Sequence, residues 1–306
     1  MPELPEVEVV RAGLARFVGG RRIVTARVLD PRTLRRGPLS AEAFTEALVD
    51  RLCGTPRRRG KYLWIPLDGT DALLAHLGMS GQFRIDDHRI TDRGAQPHRH
   101  ARVVLGLDDG HQLAFIDQRL FGSLTICPGG AELPQPISHI APDPFDPDYR
   151  LNDVAAHMRA RHTTVKRSLL DQSMVSGIGN IYADEALWRA RIHGDHPTEL
   201  MSTRRARAVL RSAGEVMAEA LHAGGTSFDS LYVHVNGDSG YFSRALSVYG
   251  REGEPCRRCG RSIVRESFMN RSSYFCPRCQ RLPRTSGHGA AAPRVVTRTH
   301  SARKIG

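Results

Sequence analysis

Four cysteines near the end of the chain have the spacing of a metal site. The pattern is C-x2-C-x16-C-x2-C, and its members are Cys256, Cys259, Cys276 and Cys279. Two such knuckles give a closed tetrahedral set of thiolates, which is typical of structural zinc and leaves no open position for catalysis. We therefore predict one structural Zn²⁺ that folds a short hairpin. Arg271 lies between the knuckles, where a hairpin tip would present it to a phosphate.

The start of the chain, Met-Pro-Glu, could supply an amine nucleophile. Removal of Met1 would give Pro2 a free secondary amine, and an α-amine with a pKa of about 7.7–8.0 is partly neutral at physiological pH. A neutral amine can attack a sugar aldehyde carbon and form an iminium, while Glu3 and Glu6 could move protons. Because many chains begin this way, the residues alone leave an ordinary helix start open as the simpler interpretation.

The charge balance indicates a polyanionic partner. The chain has 44 Lys and Arg against 32 Asp and Glu, a net charge of +12. Such an excess favours nucleic acid or an anionic membrane surface, although a generically basic enzyme also fits it. Only three of the basic residues are lysines, which makes Lys61 and Lys166 candidates for positions that need a compact ammonium.

The sequence contains no membrane signal. No apolar run approaches the roughly 18 residues that a membrane span needs, and the first residues are acidic, unlike those of a signal peptide. We therefore expect a cytoplasmic protein with no membrane partner.

A glycine turn between two predicted helices could bind phosphate. The segment Ser-Gly-Ile-Gly-Asn at 176–180 separates a helix predicted at about 163–174 from one that begins at Asn180, which we expect to be its N-cap. Exposed backbone N–H groups at such a helix start bind a phosphate well. For this motif alone, an ordinary helix hairpin is the simpler interpretation, and the upstream Lys166 and the basic composition favour phosphate.

Two halves of different secondary structure surround these motifs. Helical spacing predicts a helix at 6–18, and short apolar runs over 22–126 predict an antiparallel β-sandwich with one helix at 41–52. Six prolines exclude a regular element at 128–149, and 151–223 has a helical pattern with one break. The predicted domains of this α+β protein are a β-sandwich at 2–127, a linker at 128–149, a helical domain at 150–249, a zinc hairpin at 250–283 and a basic, disordered tail at 284–306.

Five motifs occur in the order found in one family of DNA repair enzymes. They are MPELPEVE at the start, HLGMSG at 76–81, DQRLFG at 117–122, LLDQSMVSGIGNIYADEAL at 169–187 and the four-cysteine hairpin. From residue 2 to about 282 the chain resembles the formamidopyrimidine-DNA glycosylase family. The resemblance implies an N-terminal antiparallel β-sandwich with flanking helices, a helix-two-turns-helix domain and a C-terminal zinc finger, with double-stranded DNA crossing the cleft between the halves.

The resemblance also implies roles for single residues. Pro2 matches the family's nucleophile, Glu3 its proton shuttle and Glu6 a second acid near the flipped nucleotide. Lys61 matches a lysine beside the scissile phosphates. The residues matched to DNA contacts are a wedge of Met79, Arg119 and Phe121, the phosphate-binding pair Lys166 and Asn180, the zinc-finger residue Arg271, and His76 of the HLGMSG motif. The loop at 225–242 matches a lesion-binding loop.

The implied enzyme is a bifunctional glycosylase and lyase that acts on damaged DNA as a monomer without a redox cofactor. It would excise 8-oxoguanine and formamidopyrimidines through a Schiff base on Pro2 and then eliminate both flanking phosphates. Two alternatives stay open, the related endonuclease VIII branch, which prefers oxidised pyrimidines, and a zinc-ribbon DNA-binding protein without chemistry. Leu4, Met79 and the 225–242 loop resemble the purine branch, whereas Leu120 departs from the basic residue that many members carry.

Overall fold

The first half of the chain folds into two antiparallel sheets. The structure is a computed structural model that describes residues 2–86, 98–224 and 245–283. The strands of the sandwich are β1 Ile23–Val28, β2 Arg57–Arg59, β3 Tyr62–Pro66, β4 Ala72–His76, β5 Gly81–Asp86, β6 Ala101–Leu107, β7 Gln112–Asp117 and β8 Ser123–Cys127. One sheet has the order β1-β6-β7-β5 and the other β2-β3-β4-β8. The predicted antiparallel sandwich is confirmed.

The first helix, α1 (Leu4–Phe17), joins the sandwich to the second half of the protein. Val7, Val10 and Leu14 lie three and four residues apart, so they share one face, and they are buried in the core between the sheets. Leu4 packs instead in the core of the second half. The beginning of α1, with its two acids, is therefore fixed at the junction of the two halves.

The proline-rich segment at 128–149 packs onto the sandwich. Ile137 and Ile140 lie against Trp64 on the second sheet, and the Trp64 indole N–H donates to the carbonyl of Ala131 at 3.0 Å. The sequence predicted no regular element here, and this expectation is wrong at one place, because Gln135–Ile137 form a single turn of 3₁₀ helix. A proline is compatible with a first helical turn because its missing N–H would have had no partner there.

Four helices form most of the second half, namely α3 Leu151–Ala160, α4 Val165–Leu170, α5 Asn180–Ala190 and α6 Thr203–His222. The expectation of a single break is wrong, since irregular segments also separate α3 from α4 and α5 from α6. Thr164 caps α4 by accepting from the N–H of Arg167, and Arg191 ends α5 with a left-handed φ of 58°. In the sandwich half, helix α2 (Ala41–Glu46) is shorter than the helix predicted at 41–52.

The zinc hairpin consists of β9 (Val264–Phe268) and β10 (Arg271–Phe275), which pair antiparallel with Arg271 opposite Phe268. Trp188 at the end of α5 packs against the small core of this hairpin, which includes Val248 and Ile263. We call the segment from β9 through β10 the ribbon. No helix in the described part of the chain is both long and apolar enough to cross a membrane. The predicted lesion loop at 225–242 and the tail at 284–306 lie outside the described residues.

Candidate active site

The carboxylate of Glu3 binds the N-terminus of α5, across the junction of the two halves. Its Oε2 accepts from the N–H groups of Gly179 at 2.7 Å and Tyr182 at 3.3 Å, and its Oε1 accepts from Ile181 at 2.9 Å. A Cβ on Gly179 would lie 2.3 Å from the Glu3 carboxyl carbon, so the turn needs glycine there. Gly179 is the N-cap of α5, whereas the sequence predicted Asn180. The helix start that was expected to bind a phosphate therefore binds this buried acid.

Burial decides the protonation of Glu3. Its side chain is only 3% exposed, and the loss of hydration raises its pKa above 4.5 even though the nearby Lys61 and the N–H donors of α5 act in the opposite direction. Lys61 donates to the carbonyl of Ile178 at 2.8 Å. Burial lowers the pKa of Lys61, because it disfavours the charged form of an amine as it does that of an acid. Pro2 is buried next to Glu3. The arrangement places Glu3, an acid that retains its proton more readily than an exposed glutamate does, beside the residue predicted to be the nucleophile.

Glu6 fixes the backbone of the first residues. Its Oε2 accepts from the N–H of Glu3 at 2.9 Å, and its Oε1 accepts from the hydroxyl of Tyr182 at 2.7 Å. Tyr182 is fully buried and contacts both acids, one through its backbone and the other through its hydroxyl. Tyr182 could not be singled out from the sequence, because an aromatic residue at a buried position of a helix carries no sign of the acid that its hydroxyl will contact.

Two loops present the predicted wedge on the surface of the sandwich. Met79 and Phe121 are 37% and 45% exposed, and the Arg119 guanidinium lies 5.2 Å from the centre of the Phe121 ring. Gly78 has a φ of +62°, and a Cβ there would lie 2.4 Å from the carbonyl carbon of Phe121. The two loops are therefore in backbone contact and present one composite surface.

Asp117 holds both wedge loops together from below. It is completely buried, and its carboxylate accepts from the backbone N–H groups of Arg119 at 3.2 Å and Gly122 at 2.6 Å. It also accepts from the hydroxyl of Ser80, which in turn accepts from the Arg119 N–H at 3.0 Å. Since Ser80 follows Met79 directly, one buried carboxylate fixes all three wedge residues relative to each other.

His76 is a neutral hydrogen-bond donor facing a surface cavity of about 180 Å³. Burial, together with the positive charges of Arg36 and Lys61, lowers its pKa to about 4. The N–H of Gly78 donates to its Nδ1 at 3.2 Å, which fixes the ring hydrogen on Nε2. Its ring lies against Tyr62, with centroids 4.7 Å apart. A neutral Nε2–H can donate to a phosphate oxygen without titrating near neutral pH.

Lys166 does not lie where a phosphate can reach it. Its side chain is 0% exposed, and its ammonium pairs with the carboxylate of Asp184 at 2.6 Å. The direct phosphate contact expected for Lys166 is therefore not supported by this geometry. The Asn180 side chain is also engaged, donating to the carbonyl of Ser272 in the ribbon at 2.8 Å. Arg271, at the start of β10, is exposed, and its charge acts on Lys61, whose pKa it helps to lower.

The four predicted cysteine ligands come together. Their sulfur atoms all lie within 4.8 Å of one another, close to the separation of about 3.8 Å that tetrahedral Zn–S bonds of about 2.3 Å give. The Trp188 indole N–H donates to the Cys256 sulfur at 3.4 Å, a contact that suits a thiolate. These residues fit one structural zinc ion, with no position left for a substrate.

The chain is similar to known proteins over most of its length. Three family models match: the formamidopyrimidine-DNA glycosylase N-terminal domain at residues 1–124, the H2TH domain of the same enzymes at 140–231, and the zinc finger found in FPG and IleRS at 253–282. The formamidopyrimidine-DNA glycosylase of Nocardioides sp. is 55% identical over 298 residues, covering 96% of this chain and 99% of that protein. Its counterpart in Salinispora arenicola is also 55% identical, covering 93% and 98%.

Solved structures of such enzymes have the same fold. Lactococcus lactis Fpg in complex with DNA containing N7-benzyl-Fapy-dG has a TM-score of 0.81 and 31% identity, covering 91% of this chain and 99% of that chain. The same protein with DNA containing an oxidised pyrimidine gives the same values. The MutM (Fpg) protein of Thermus thermophilus has a TM-score of 0.79 and 36% identity, covering 91% and 98%. The chain therefore belongs to the formamidopyrimidine-DNA glycosylase family, the glycosylases that repair oxidised purines in DNA.

Proposed function

We propose that this glycosylase excises oxidised purines from double-stranded DNA with the amine of Pro2 as its nucleophile. The observation that carries the proposal is the burial of Pro2 and Glu3 at the junction of the halves, where the charge of Lys61 acts on the Glu3 carboxyl. With Met1 removed, the Pro2 nitrogen attacks C1′ of the flipped nucleotide as the damaged base leaves. The departing base takes up a proton, and Glu3, whose pKa is raised by burial, supplies it.

The lyase steps begin when the Pro2 nitrogen, having lost its proton, pushes its lone pair towards C1′ while the C1′–O4′ bond breaks and O4′ takes up a proton. The sugar ring opens, and an iminium links Pro2 to C1′. The iminium acidifies the C2′ hydrogen, whose loss expels the 3′ phosphate, and a second elimination expels the 5′ phosphate. A one-nucleoside gap remains, and addition of water to the iminium frees the Pro2 amine and leaves the sugar remnant as an aldehyde. Lys61 beside Glu3 offers positive charge for the departing phosphates, and exposed Arg271 offers more. All these groups belong to this chain, which we propose acts as a monomer in the cytoplasm.

DNA binding rests on the wedge and the basic surface. Extrusion of a nucleotide loses a few kcal/mol of stacking and pairing, which insertion of apolar side chains into the vacated space offsets. Met79 and Phe121 are exposed and held rigidly enough to do this, and Arg119 beside them has donors for the orphaned base. The net charge of +12 favours attraction to the phosphate backbone.

Borohydride trapping tests the nucleophile. On DNA with an abasic site, the unmodified protein should give a covalent adduct that maps to Pro2 by peptide mass analysis. Glu3→Gln is the matched control, because an abasic site has no base to protonate, so this variant should still trap while it loses excision of 8-oxoguanine. Trapping at full yield by a form that retains Met1 would exclude the Pro2 amine.

The oxidised-pyrimidine branch is a second candidate, favoured by one observation. The L. lactis protein, 31% identical to this chain, has been solved with DNA containing an oxidised pyrimidine. Single-turnover excision of 8-oxoguanine and of 5-hydroxycytosine from otherwise identical duplexes separates the two. A faster reaction on the pyrimidine lesion would make this second assignment the correct one.

A further inference from the structure

The Lys166–Asp184 ion pair lies in the interior, between α4, α5 and the ribbon. The ammonium and the carboxylate are 2.6 Å apart, and their side chains are 0% and 1% exposed. Burial raises the pKa of Asp184 to about 6 and lowers that of Lys166, so each partner needs the other to remain charged. Removing one member alone leaves the other either buried without a counterion or forced to neutralise, and both outcomes disturb the contacts around it.

Both members of the pair contact the ribbon. The carboxylate of Asp184 accepts from the backbone N–H of Tyr274 at 2.9 Å and from the hydroxyl of Ser273 at 3.2 Å, both on β10. The ammonium of Lys166 lies 4.6 Å from the centre of the Phe268 ring, on β9. One ion pair therefore holds both strands of the ribbon against the helices.

These contacts lie close to Arg271 in the ribbon. Phe268 is the residue directly opposite Arg271 in the β9–β10 register, and Ser273 lies two residues further along β10 on the same face as Arg271. A third contact joins the Asn180 side chain to the carbonyl of Ser272, which lies between Arg271 and Ser273 on β10. The exposed guanidinium of Arg271 is thus carried by a backbone that the ion pair fixes on both strands.

We propose that Lys166 and Asp184 are positioning residues, which act on DNA only by holding Arg271 over the cleft. This proposal rests on the DNA-binding role of Arg271 described above. A direct contact between Lys166 and a phosphate would require its ammonium to leave Asp184, and the carboxylate would then be buried without a counterion. The geometry points to a phosphate contact through Arg271 instead.

The test compares Lys166→Met with the double variant Lys166→Met/Asp184→Asn. At a pH well above the raised pKa of Asp184, the single variant leaves its carboxylate buried without a counterion. The ribbon should then shift, and affinity for abasic-site DNA should fall by roughly tenfold, as for the loss of one charged hydrogen bond. The double variant removes both charges, and its asparagine can still accept from the Tyr274 N–H. We expect it to recover most of the lost affinity. Arg167→Met, which removes an exposed charge from the neighbouring position of α4, controls for net charge.

The salt dependence gives a second readout. If Lys166 bound a phosphate directly, both variants would be equally weak, and the slope of log affinity against log salt would fall by about 0.9 in each. That result would overturn the proposal. If the single variant does not fold, the double variant decides by itself, since near-normal affinity and slope support positioning and a loss in both contradicts it.

A double-mutant cycle connects the pair to Arg271. Arg271→Ala should weaken binding, and adding Lys166→Met to it should weaken binding no further, because the residue being positioned is already absent. Losses that multiply would show that Lys166 acts independently of Arg271 and would overturn the proposal. Failure of the unmodified protein to bind abasic-site DNA would instead remove the proposed function. Zinc content of every variant distinguishes a displaced ribbon from an unfolded one.

Discussion

Replacement of Gly78 by alanine should separate the two loops that form the wedge. Gly78 has a φ of +62°, and a residue with a Cβ loses about 1–2 kcal/mol in this left-handed conformation. The added Cβ would also lie 2.4 Å from the Phe121 carbonyl carbon and 2.5 Å from the Gly122 nitrogen. Both are backbone atoms, so a whole loop must move, and this movement costs about 1–3 kcal/mol of stability. We expect the free energy of unfolding to fall by roughly 2–5 kcal/mol in total.

Gly110→Ala is the matched control for this variant. Gly110, in the turn between β6 and β7, has a φ of +90°, and a Cβ there would meet nothing within 4 Å. This variant therefore has the backbone strain without the clash, and its free energy of unfolding should fall by only about 1–2 kcal/mol. The difference between the two variants, measured by urea denaturation, isolates the contact between the wedge loops.

The functional assay is single-turnover excision of 8-oxoguanine at saturating enzyme, together with the fluorescence of a 2-aminopurine placed beside the lesion. Gly78→Ala should slow nucleotide extrusion opposite every base, because Met79 and Phe121 would no longer form one surface. Gly110→Ala should extrude and excise at the normal rate. Equal stability losses in the two variants, with normal extrusion in both, would refute the idea that the contact at Gly78 sets the wedge.

Three further predictions concern the metal, the acid and the opposite base. Cys276→Ala should lose zinc and DNA affinity while the sandwich stays folded, whereas Cys127→Ala, outside the cluster, should retain both by metal analysis and gel shift. Because burial raises the pKa of Glu3 above 4.5, the folded protein binds this proton more tightly than the unfolded chain, and stability is lost as pH rises from 4.5 through the raised pKa. Glu3→Gln should gain stability relative to the unmodified protein across that window, and a difference that stays constant with pH in denaturation curves would contradict it. The donor-only fork of Arg119 suits the acceptors of cytosine, so we expect a preference of about 1–3 kcal/mol for C over A opposite the lesion. Arg119→Ala should lose this preference, and Gln118→Ala should keep it, in single-turnover excision assays.

The chemistry of this protein was readable from the sequence wherever a residue type and its spacing are sufficient by themselves. Four thiolates at two C-x2-C knuckles define a zinc site without reference to the rest of the fold, and the structure brings all four together. The sandwich was predictable for a related reason, since short apolar runs separated by tight turns are typical of antiparallel strands. The family motifs added Pro2 and Glu3, which composition alone could not distinguish from an ordinary helix start.

Local capping and packing limited the sequence prediction of the elements. Whether Thr164 begins a helix or Arg191 ends one depends on a single hydrogen bond or a single left-handed residue, which periodicity does not report. The prolines at 128–149 predicted a linker, but the apolar residues among them pack on the sandwich. A composition rule counts residues, whereas packing depends on where they lie.

Only the tertiary structure decided what the buried charges do. Glu3 and Lys166 lie 163 positions apart in the sequence, and the family resemblance assigned one to proton transfer and the other to phosphate. Folding places the Glu3 carboxylate against the N–H groups of α5 and buries Lys166 beside Asp184. The physical reason is that the free energy of a charge depends on its hydration and on its partners, and both are set by chain segments distant in sequence. Residue types determined which chemistry this protein can perform, and the packing of its two halves decided which charged groups remain available to perform it.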